Sequence, residues 1–176
     1  MAILPVLTYP DKRLKLPSLE VDRHDPELPV LIADLIETMN SSPGCIGLAA
    51  PQCDIHKRVL VVDVSRNPNM KQKLGLVILV NPIIIAQSGK NTAREGCLSI
   101  PHLIANVTRA KRISLTATNQ EGTEVIIDAS GFEARAILHE IDHLDGILFL
   151  DRVSLLKTDV FRRKRYLNAD NEDTEA

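Results

Sequence analysis

The stretch SGFEARAILHEIDHLDG, residues 130–146, holds the signals that decide how this chain folds. Ser130 and Glu133 have the spacing of a capping box, in which two side chains bond to backbone N–H groups at a helix start. Gly146 stands where a helix commonly stops, because glycine accepts the left-handed conformation that ends many helices. The stretch therefore predicts a helix of about four turns.

Short runs rich in branched aliphatic residues come before this helix and predict strands. These runs are residues 59–64, 76–80, 83–86, 113–118 and 124–127. The last two flank the sequence NQEG at residues 119–122, which is typical of a hairpin turn. We therefore expect these two runs to pair as a hairpin.

Two further helices are predicted, one on each side of this segment. The first begins near Asp25-Pro26-Glu27, and its apolar residues recur at helical spacing as far as Met39. The other covers about residues 155–167. The order of one helix, several strands and then helices predicts an α+β fold. We expect small antiparallel or mixed sheets packed around the central helix, followed by a C-terminal helix.

Length and charge limit the classes of protein that this chain can belong to. Its 176 residues fit one catalytic domain, which we expect over residues 1–167, with an acidic, disordered tail over 168–176. A net charge of −2 gives no reason to expect direct DNA binding. The longest apolar run, residues 74–86, falls short of the ~20 residues of a membrane helix. With no visible secretory signal, a cytoplasmic location is expected.

The central helix carries the motif HEIDH at residues 139–143. His139 and His143 lie four residues apart, so both imidazoles face the same side and can reach one metal ion. Glu140 follows His139 directly and can accept a proton from water at that metal. Asp142 and Asp145 could orient an imidazole. The alternative is an exposed, charged helix face on which the two histidines are accidental.

A catalytic metal usually has three protein ligands and one open position, so two histidines leave the site incomplete. Cys97 is the candidate third ligand, in the sequence EGCLS at residues 95–99. A thiolate binds Zn²⁺ and Fe²⁺ well. The alternative for Cys97 is a buried core thiol. The odd count of three cysteines argues against a disulfide framework.

The segment CIGLAAPQ at residues 45–52 is the third candidate part of the site. Its small residues let a substrate backbone approach the chain. Gln52 offers an amide donor that could stabilise an oxyanion. The alternative is a tight loop packed on the core, with Gln52 merely exposed.

Together, these three segments resemble the peptide deformylase family. That family carries Gly-x-Gly-x-Ala-Ala-x-Gln, Glu-Gly-Cys-Leu-Ser and His-Glu-x-Asp-His segments in this order, and the second and third match in full. The sequences HEIDHLDGILF at residues 139–149 and ILPVLTYP at residues 3–10 are also similar to the family. The resemblance covers about residues 3–153 and implies removal of the formyl group from the N-terminal methionine of newly made polypeptides.

The resemblance also implies a role for each site residue. The metal ligands would be Cys97, His139 and His143, holding one divalent ion that is usually Fe²⁺, with Zn²⁺, Ni²⁺ or Co²⁺ as substitutes. Glu140 would move the proton, while the Gln52 amide and the Leu98 N–H would hold the oxyanion. The peptide would bind at Ile46, Gly47, Gly96, Arg135 and Ala136, with the charge of Arg135 reaching water. Separately, the basic stretch at residues 162–165 could touch the ribosome. The alternative, which the pattern favours, is a solvated helix face.

Two residues depart from the family pattern. Cys45 replaces the first glycine of the first segment, and the loop must adjust if that position needs the conformation of glycine. Ile104 stands where many family members have a basic residue that meets the peptide. We expect altered substrate preference rather than lost activity, because Gly47 and Gln52 remain.

Two alternative functions remain open at this point. The first is an HExxH metallopeptidase, although Cys97 is an atypical third ligand for that class. The second is a non-catalytic protein that uses the metal only for structure. Structural sites are closed by four ligands, and no fourth cysteine or histidine has metal-ligand spacing to the other three.

Overall fold

The computed structural model describes residues 2–22, 24–67 and 74–163, which form helices and two antiparallel sheets. The elements are α1 (Leu28–Ser41), β1 (Gly47–Ala49), β2 (Val59–Asp63), β3 (Leu76–Ser88), β4 (Asn91–Cys97), β5 (Ile100–Arg109), β6 (Arg112–Thr118), β7 (Glu124–Ser130), α2 (Gly131–Leu144), α3 (Leu156–Asp159) and β8 (Val160–Arg162). Short 3-10 helices cover Lys12–Lys15, Ala50–Cys53, Val64–Arg66 and Phe149–Arg152. The predicted α+β fold is confirmed.

The two sheets differ in size and lie on different parts of the chain. The larger sheet has the strand order β1-β2-β3-β6-β7, and the smaller one has the order β4-β5-β8. The predicted hairpin is present, because β6 and β7 pair from Arg112 with Ser130 to Thr118 with Glu124. β1 is an end strand of the larger sheet and β4 is an end strand of the smaller one.

Strand β2 is buried on both faces because a helix packs against each of them. Leu60 and Val62 belong to the cluster that surrounds α2, while Val59 and Val61 belong to the cluster around α1. Alternate residues of a strand point to opposite faces, so this continuous apolar run supplies both clusters. Each fully buried aliphatic side chain stabilises the fold by about 1.5–3 kcal/mol, so β2 holds α2 firmly in place.

The central helix has its predicted position but not its predicted cap. Ser130 makes no side-chain bond to the helix start, and Glu133 instead accepts a hydrogen bond from the Leu74 N–H at 2.9 Å. The helix ends at Leu144, and Gly146 follows with a φ of 69°. A Cβ at Gly146 would lie 2.5 Å from the Lys15 carbonyl oxygen, so glycine is needed there for space as well as for conformation.

Two strand predictions merge into one element. The runs at residues 76–80 and 83–86 form the single strand β3, with an irregularity in the register between Val80 and Ile83. Asn81 takes a positive φ of 52°, and its side chain bonds to the Val21 N–H and carbonyl at 2.9 and 2.8 Å. This pairing holds the chain at the irregularity, so the strand continues past Pro82.

The C-terminal helix is present but is shorter than the predicted range of 155–167. It covers Leu156–Asp159, and the chain then forms β8, which pairs with β5. Residues 164–176 lie outside the described residues, and with them Lys164 and Arg165 of the basic stretch and the whole predicted tail. No helix in the described ranges is both long enough and apolar enough to cross a membrane.

The amino-terminal arm, residues 2–11, forms backbone hydrogen bonds with two segments that are far apart in the sequence. The Leu7 N–H donates to the Gln52 carbonyl at 2.7 Å, and the Tyr9 N–H donates to the Ser99 carbonyl at 2.8 Å. The N–H groups of two alternate residues of the arm therefore bridge the segments that carry Gln52 and Cys97.

Candidate metal centre and active site

Three predicted metal ligands meet where α2 passes the turn between β4 and β5. Helix α2 supplies His139 and His143, and Cys97 stands at the end of β4. Their ligand atoms all lie within 4.8 Å of one another, and Cys97 Sγ is 3.1 Å from His143 Nε2. In the described part of the chain, this is the one group of three or more such side chains with metal-ligand spacing.

The surroundings of Cys97 favour its metal-binding form, the thiolate. Burial opposes the charged thiolate, but the neighbouring His143 and His139 lower the pKa of Cys97 well below its usual value. The thiolate is the form of cysteine that binds metals. A sulfur and two imidazole nitrogens are a donor set that suits Fe²⁺ and Zn²⁺.

Glu95 fixes the orientation of the first histidine. Its Oε2 lies 2.9 Å from His139 Nδ1, which leaves His139 Nε2 free to face the metal position. Glu95 also accepts hydrogen bonds from Arg109 at 2.6 and 2.9 Å and from Arg135 at 2.5 Å. Burial opposes its ionisation, but hydrogen bonds from His139 and Arg109 outweigh burial and lower the pKa of Glu95 to about 2.

The predicted orienting role of the two aspartates is wrong. Asp142 instead pairs with Arg109 at 2.8 Å and with Arg152 at 2.6 Å. Asp145 pairs with Arg58 at 2.6 Å. Asp142 lies on α2 and Asp145 directly follows it, but both pair with arginines of other elements, so the carboxylate that orients an imidazole comes from β4.

The predicted exposure of the Arg135 charge is also wrong. Arg135 is only 7% exposed, and it donates to Glu95 as well as to the carbonyl oxygens of Val107 at 2.9 Å and Asn91 at 2.6 Å. A buried guanidinium needs such partners because burying an unpaired charge is costly. Arg135 therefore ties α2 to the smaller sheet beside the cleft.

Glu140 lies in the cleft with one carboxylate oxygen unsatisfied. It is 5% exposed, and its Oε2 has no hydrogen-bond partner among the described residues. Burial raises the pKa of Glu140 to about 7. A carboxylate with a pKa near neutrality can both accept and return a proton at physiological pH.

The backbone of Gly47 lies directly against Glu140. A Cβ on Gly47 would be 2.6 Å from Glu140 Oε1 and 3.0 Å from its Cδ, both too close for a real side chain. The absence of a side chain at Gly47 therefore makes room for the carboxylate.

The side chain of Gln52 is buried and points into the site, so the alternative of a merely exposed glutamine is wrong. Its Oε1 accepts a hydrogen bond from the Ala49 N–H at 2.9 Å. Its Nε2 therefore faces the cleft, 3.5 Å from Cys97 Sγ and 3.1 Å from Ser99 Oγ. This amide is held as a donor beside the metal position.

A cleft of about 200 Å³ opens over these groups. It is lined by every predicted catalytic and substrate-binding residue, together with Cys97 and His139: Ile46, Gly47, Gln52, Gly96, Leu98, Arg135, Ala136 and Glu140. His143 is 2% exposed and lies beneath the cleft. The sequence predictions missed Arg94, Glu95, Phe132 and Arg163, which also line it.

The two departures from the family pattern fit this cleft without strain. Cys45 does not need the left-handed conformation of glycine, and its Sγ donates to the Gly47 carbonyl at 3.1 Å. Burial, aided by the charge of Glu140, raises the pKa of Cys45 to about 12. Ile104 lies beside Gly96, and a guanidinium nitrogen of Arg163 approaches the same point. A positive charge beside Gly96 therefore comes from Arg163.

Comparisons with known proteins agree with this arrangement. The polypeptide deformylase family model matches residues 3–159. A peptide deformylase of Pseudoalteromonas translucida is 43% identical over 164 residues, covering 93% of this chain and 95% of that protein. The solved structure of peptide deformylase from Ehrlichia chaffeensis in complex with actinonin is 40% identical with a TM-score of 0.82, covering 89% and 92% of the two chains. The Met-Ala-Ser-bound class I type b peptide deformylase from Acinetobacter baumannii is 34% identical with a TM-score of 0.79, covering 86% and 99%.

Proposed function

This chain belongs to the peptide deformylase family, and from that premise we propose which of its residues carry the reaction. The enzyme is a metal-dependent hydrolase that removes the N-formyl group from the N-terminal formylmethionine of nascent polypeptides. The observation that supports the assignment of residues best is the approach of Cys97, His139 and His143 within 4.8 Å beside the Glu140 carboxylate.

Cys97, His139 and His143 would hold one divalent metal ion, for which we propose Fe²⁺, with Zn²⁺, Ni²⁺ or Co²⁺ as substitutes. Three protein ligands leave one position open, as in catalytic rather than structural sites. When bound, the ion supplies Lewis-acid polarisation and lowers the pKa of a water molecule. The structural alternative lacks a fourth ligand in the described residues, because the group there has three members.

Glu140 is the proton carrier in this proposal. It accepts a proton from the attacking water and passes it to the leaving amine as the bond between carbon and nitrogen breaks. Its buried carboxylate and its pKa of about 7 suit both steps. The Gln52 amide and the Leu98 N–H stabilise the negative charge that develops on the formyl oxygen.

The peptide binds in an extended conformation between the two sheets. Gly47 lies in β1 and Gly96 in β4, and each of these is an end strand of its sheet. End strands have unpaired backbone groups that an added strand can bond. Ile46 and Ala136, with Phe132, border the place for the methionine side chain.

The function is tested by measuring deformylation of a formyl-Met-Ala-Ser peptide with anaerobically purified, iron-loaded protein. We expect formate release with this peptide and no cleavage of internal peptide bonds. Cleavage of an unformylated peptide at an internal bond would favour the metallopeptidase alternative. A filled metal site without turnover of any formyl peptide would contradict the proposal.

Replacement of Cys97 with alanine is expected to remove the metal. Two histidines alone are a poor site for Fe²⁺, so the metal content should fall from about one ion per chain to nearly none. The check is metal analysis after gel filtration. Cys53→Ala is the matched control, since Cys53 is equally buried but packs in the core around α1. Equal metal content in both variants would contradict the assignment of Cys97.

A Gly47→Ala substitution is expected to lower kcat/KM for formyl peptides by about 100-fold. The added Cβ would push Glu140 away from its position, and a shift of about 1 Å in a catalytic group can cost that much. The control measurement is the metal content of Gly47→Ala, which should stay at the wild-type level because Gly47 is not one of the three residues of the metal-ligand group. Full activity of Gly47→Ala would show that Glu140 does not need this space.

We also propose that the enzyme meets its substrate in the cytoplasm, near the ribosomal exit. The support is the chemistry of the substrate and the basic stretch at residues 162–165. A double replacement of Lys164 and Arg165 with glutamate should weaken co-sedimentation with ribosomes. Unchanged co-sedimentation would contradict a role for these residues.

A further inference from the structure

We propose that Arg94 and Arg163 form a cationic wall of the cleft that favours formyl peptides with an acidic side chain at the second or third residue. The inference rests on the proposed function and adds a substrate class to the same site. Both arginines line the cleft and both are exposed. Neither was predicted from the sequence as part of the site.

Strand geometry brings the two guanidinium groups to the same face of the smaller sheet. Arg94 lies two residues before Gly96 in β4, so the two residues point to the same face. Arg163 directly follows β8, where its N–H donates to the His102 carbonyl at 2.9 Å. Its Nη2 lies 3.3 Å from the position that a Cβ on Gly96 would take.

Among the residues that the structure describes, these two arginines differ from the others around the site in lacking an acidic partner. Arg109 and Arg135 pair with Glu95, and Arg152 pairs with Asp142. Within the described ranges, neither Arg94 nor Arg163 has a carboxylate oxygen within 4.0 Å. Their charges are therefore available to a ligand in the cleft.

The ring of Phe161 holds Arg94 in place. The Arg94 guanidinium carbon lies 4.6 Å from the centre of this ring, which is within the range of a cation–π contact. Phe161 pairs with Ile104 in the adjacent strand, so the contact is anchored in the sheet. Arg94 is thus a positioned charge rather than a freely rotating side chain.

The direction of the substrate decides which of its residues meets these charges. The formyl group must reach the metal position beside Cys97, and Gly96 and Arg94 lie one and three residues before it in β4. A strand advances about 3.3 Å per residue, so Arg94 is about 10 Å from Cys97 along β4. A peptide that pairs with β4 and runs away from Cys97 brings its second and third residues to the wall.

The carboxylates of the cleft do not cancel this preference. Glu95 is buried under Arg109, Arg135 and His139. Glu140 is 5% exposed and lies at the reaction centre. At the open side of the cleft, the substrate therefore meets positive charge.

The test compares formyl-Met-Ala-Glu-amide with formyl-Met-Ala-Gln-amide, and formyl-Met-Glu-Ala-amide with formyl-Met-Gln-Ala-amide. Amidation removes the terminal carboxylate, so only the side chain differs in charge. We expect kcat/KM to be about 3- to 10-fold higher for at least one glutamate peptide, because two exposed ion pairs each contribute modestly. The preference should act on KM and should disappear at about 0.5 M salt.

Variants locate the preference on the wall. In the double variant Arg94→Gln/Arg163→Gln, the ratio between the glutamate and glutamine peptides should fall to about one. This ratio is internal to each protein, so a general loss of folded enzyme cancels. The control is Arg162→Gln, since Arg162 points to the opposite face of β8. It should keep the wild-type ratio.

The outcomes separate this inference from the proposed function. Turnover of all four peptides with a ratio near one in the wild-type enzyme would overturn the cationic wall and leave deformylation intact. An acidic preference that survives in the double variant would also overturn it. The same peptides with a free C-terminal carboxylate give a further comparison. If they are turned over faster than the amides while the four amides do not differ, the arginines bind the terminal carboxylate, and the preference for acidic side chains is overturned.

Discussion

Glu140→Gln is expected to lower kcat for deformylation by about 100- to 10,000-fold. Glutamine has nearly the same shape as glutamate but cannot accept a proton from water. The side chain is buried at the base of the cleft, so no other carboxylate in the described residues stands in its place: Glu95 is already engaged by two arginines and His139. The check is steady-state turnover of a formyl-Met peptide at matched metal content.

The control for Glu140→Gln is Glu133→Gln, two turns earlier on the same helix. Glu133 is as buried as Glu140, but its Oε1 accepts a hydrogen bond from the Leu74 N–H, which glutamine can also accept. We expect this control to retain turnover, because Glu133 does not line the cleft. Turnover of Glu140→Gln within tenfold of the wild type would show that another group carries the proton.

Glu95→Gln is expected to reduce the free energy of unfolding by about 3–5 kcal/mol, the usual cost of removing one partner of a buried ion pair. Arg135 would lose the carboxylate that balances it and Arg109 would keep only Asp142, and both arginines are almost fully buried. Metal affinity should also fall by about 10- to 100-fold, because Glu95 orients His139. Urea unfolding and metal competition with a chelator measure the two effects.

The matched control for Glu95→Gln is Asp54→Asn, which also neutralises an acid paired with an arginine. Asp54 pairs with Arg13 at 2.5 Å, but both side chains are nearly half exposed. Exposed pairs contribute about 0–1 kcal/mol, so we expect little change in unfolding. Similar losses in both variants would show that burial of Glu95 does not determine its contribution.

The fold class and the placing of His139 and His143 on one side of a helix could be predicted because they depend on local patterns. The spacing of His139 and His143 is a property of any helix, and Gly146 marks the end of that helix. No strand was predicted over the residues that form β4 and β5. Their residues alternate between cleft, core and solvent and include buried charged groups such as Glu95 and Arg109, so no simple apolar period is visible.

Tertiary contacts also explain which details of the site were wrong. Asp142 is close to the two histidines in the sequence, and we therefore expected it to orient an imidazole. In the structure its side chain points from the helix towards Arg109 and Arg152 and pairs with them. The true orienting carboxylate, Glu95, is 44 residues away in the sequence from His139. The position of Arg163 at the cleft could not be predicted either, because it depends on the pairing of β8 with β5.

The amino-terminal arm and the two segments that it bridges are synthesised before helix α2. Leu7 and Tyr9 bond to carbonyls of residues 52 and 99, while two of the three proposed metal ligands are His139 and His143. A chain that leaves the ribosome from its amino terminus holds the arm and both loops long before α2 appears. Each new molecule therefore becomes able to process other chains only when most of its own length has been translated.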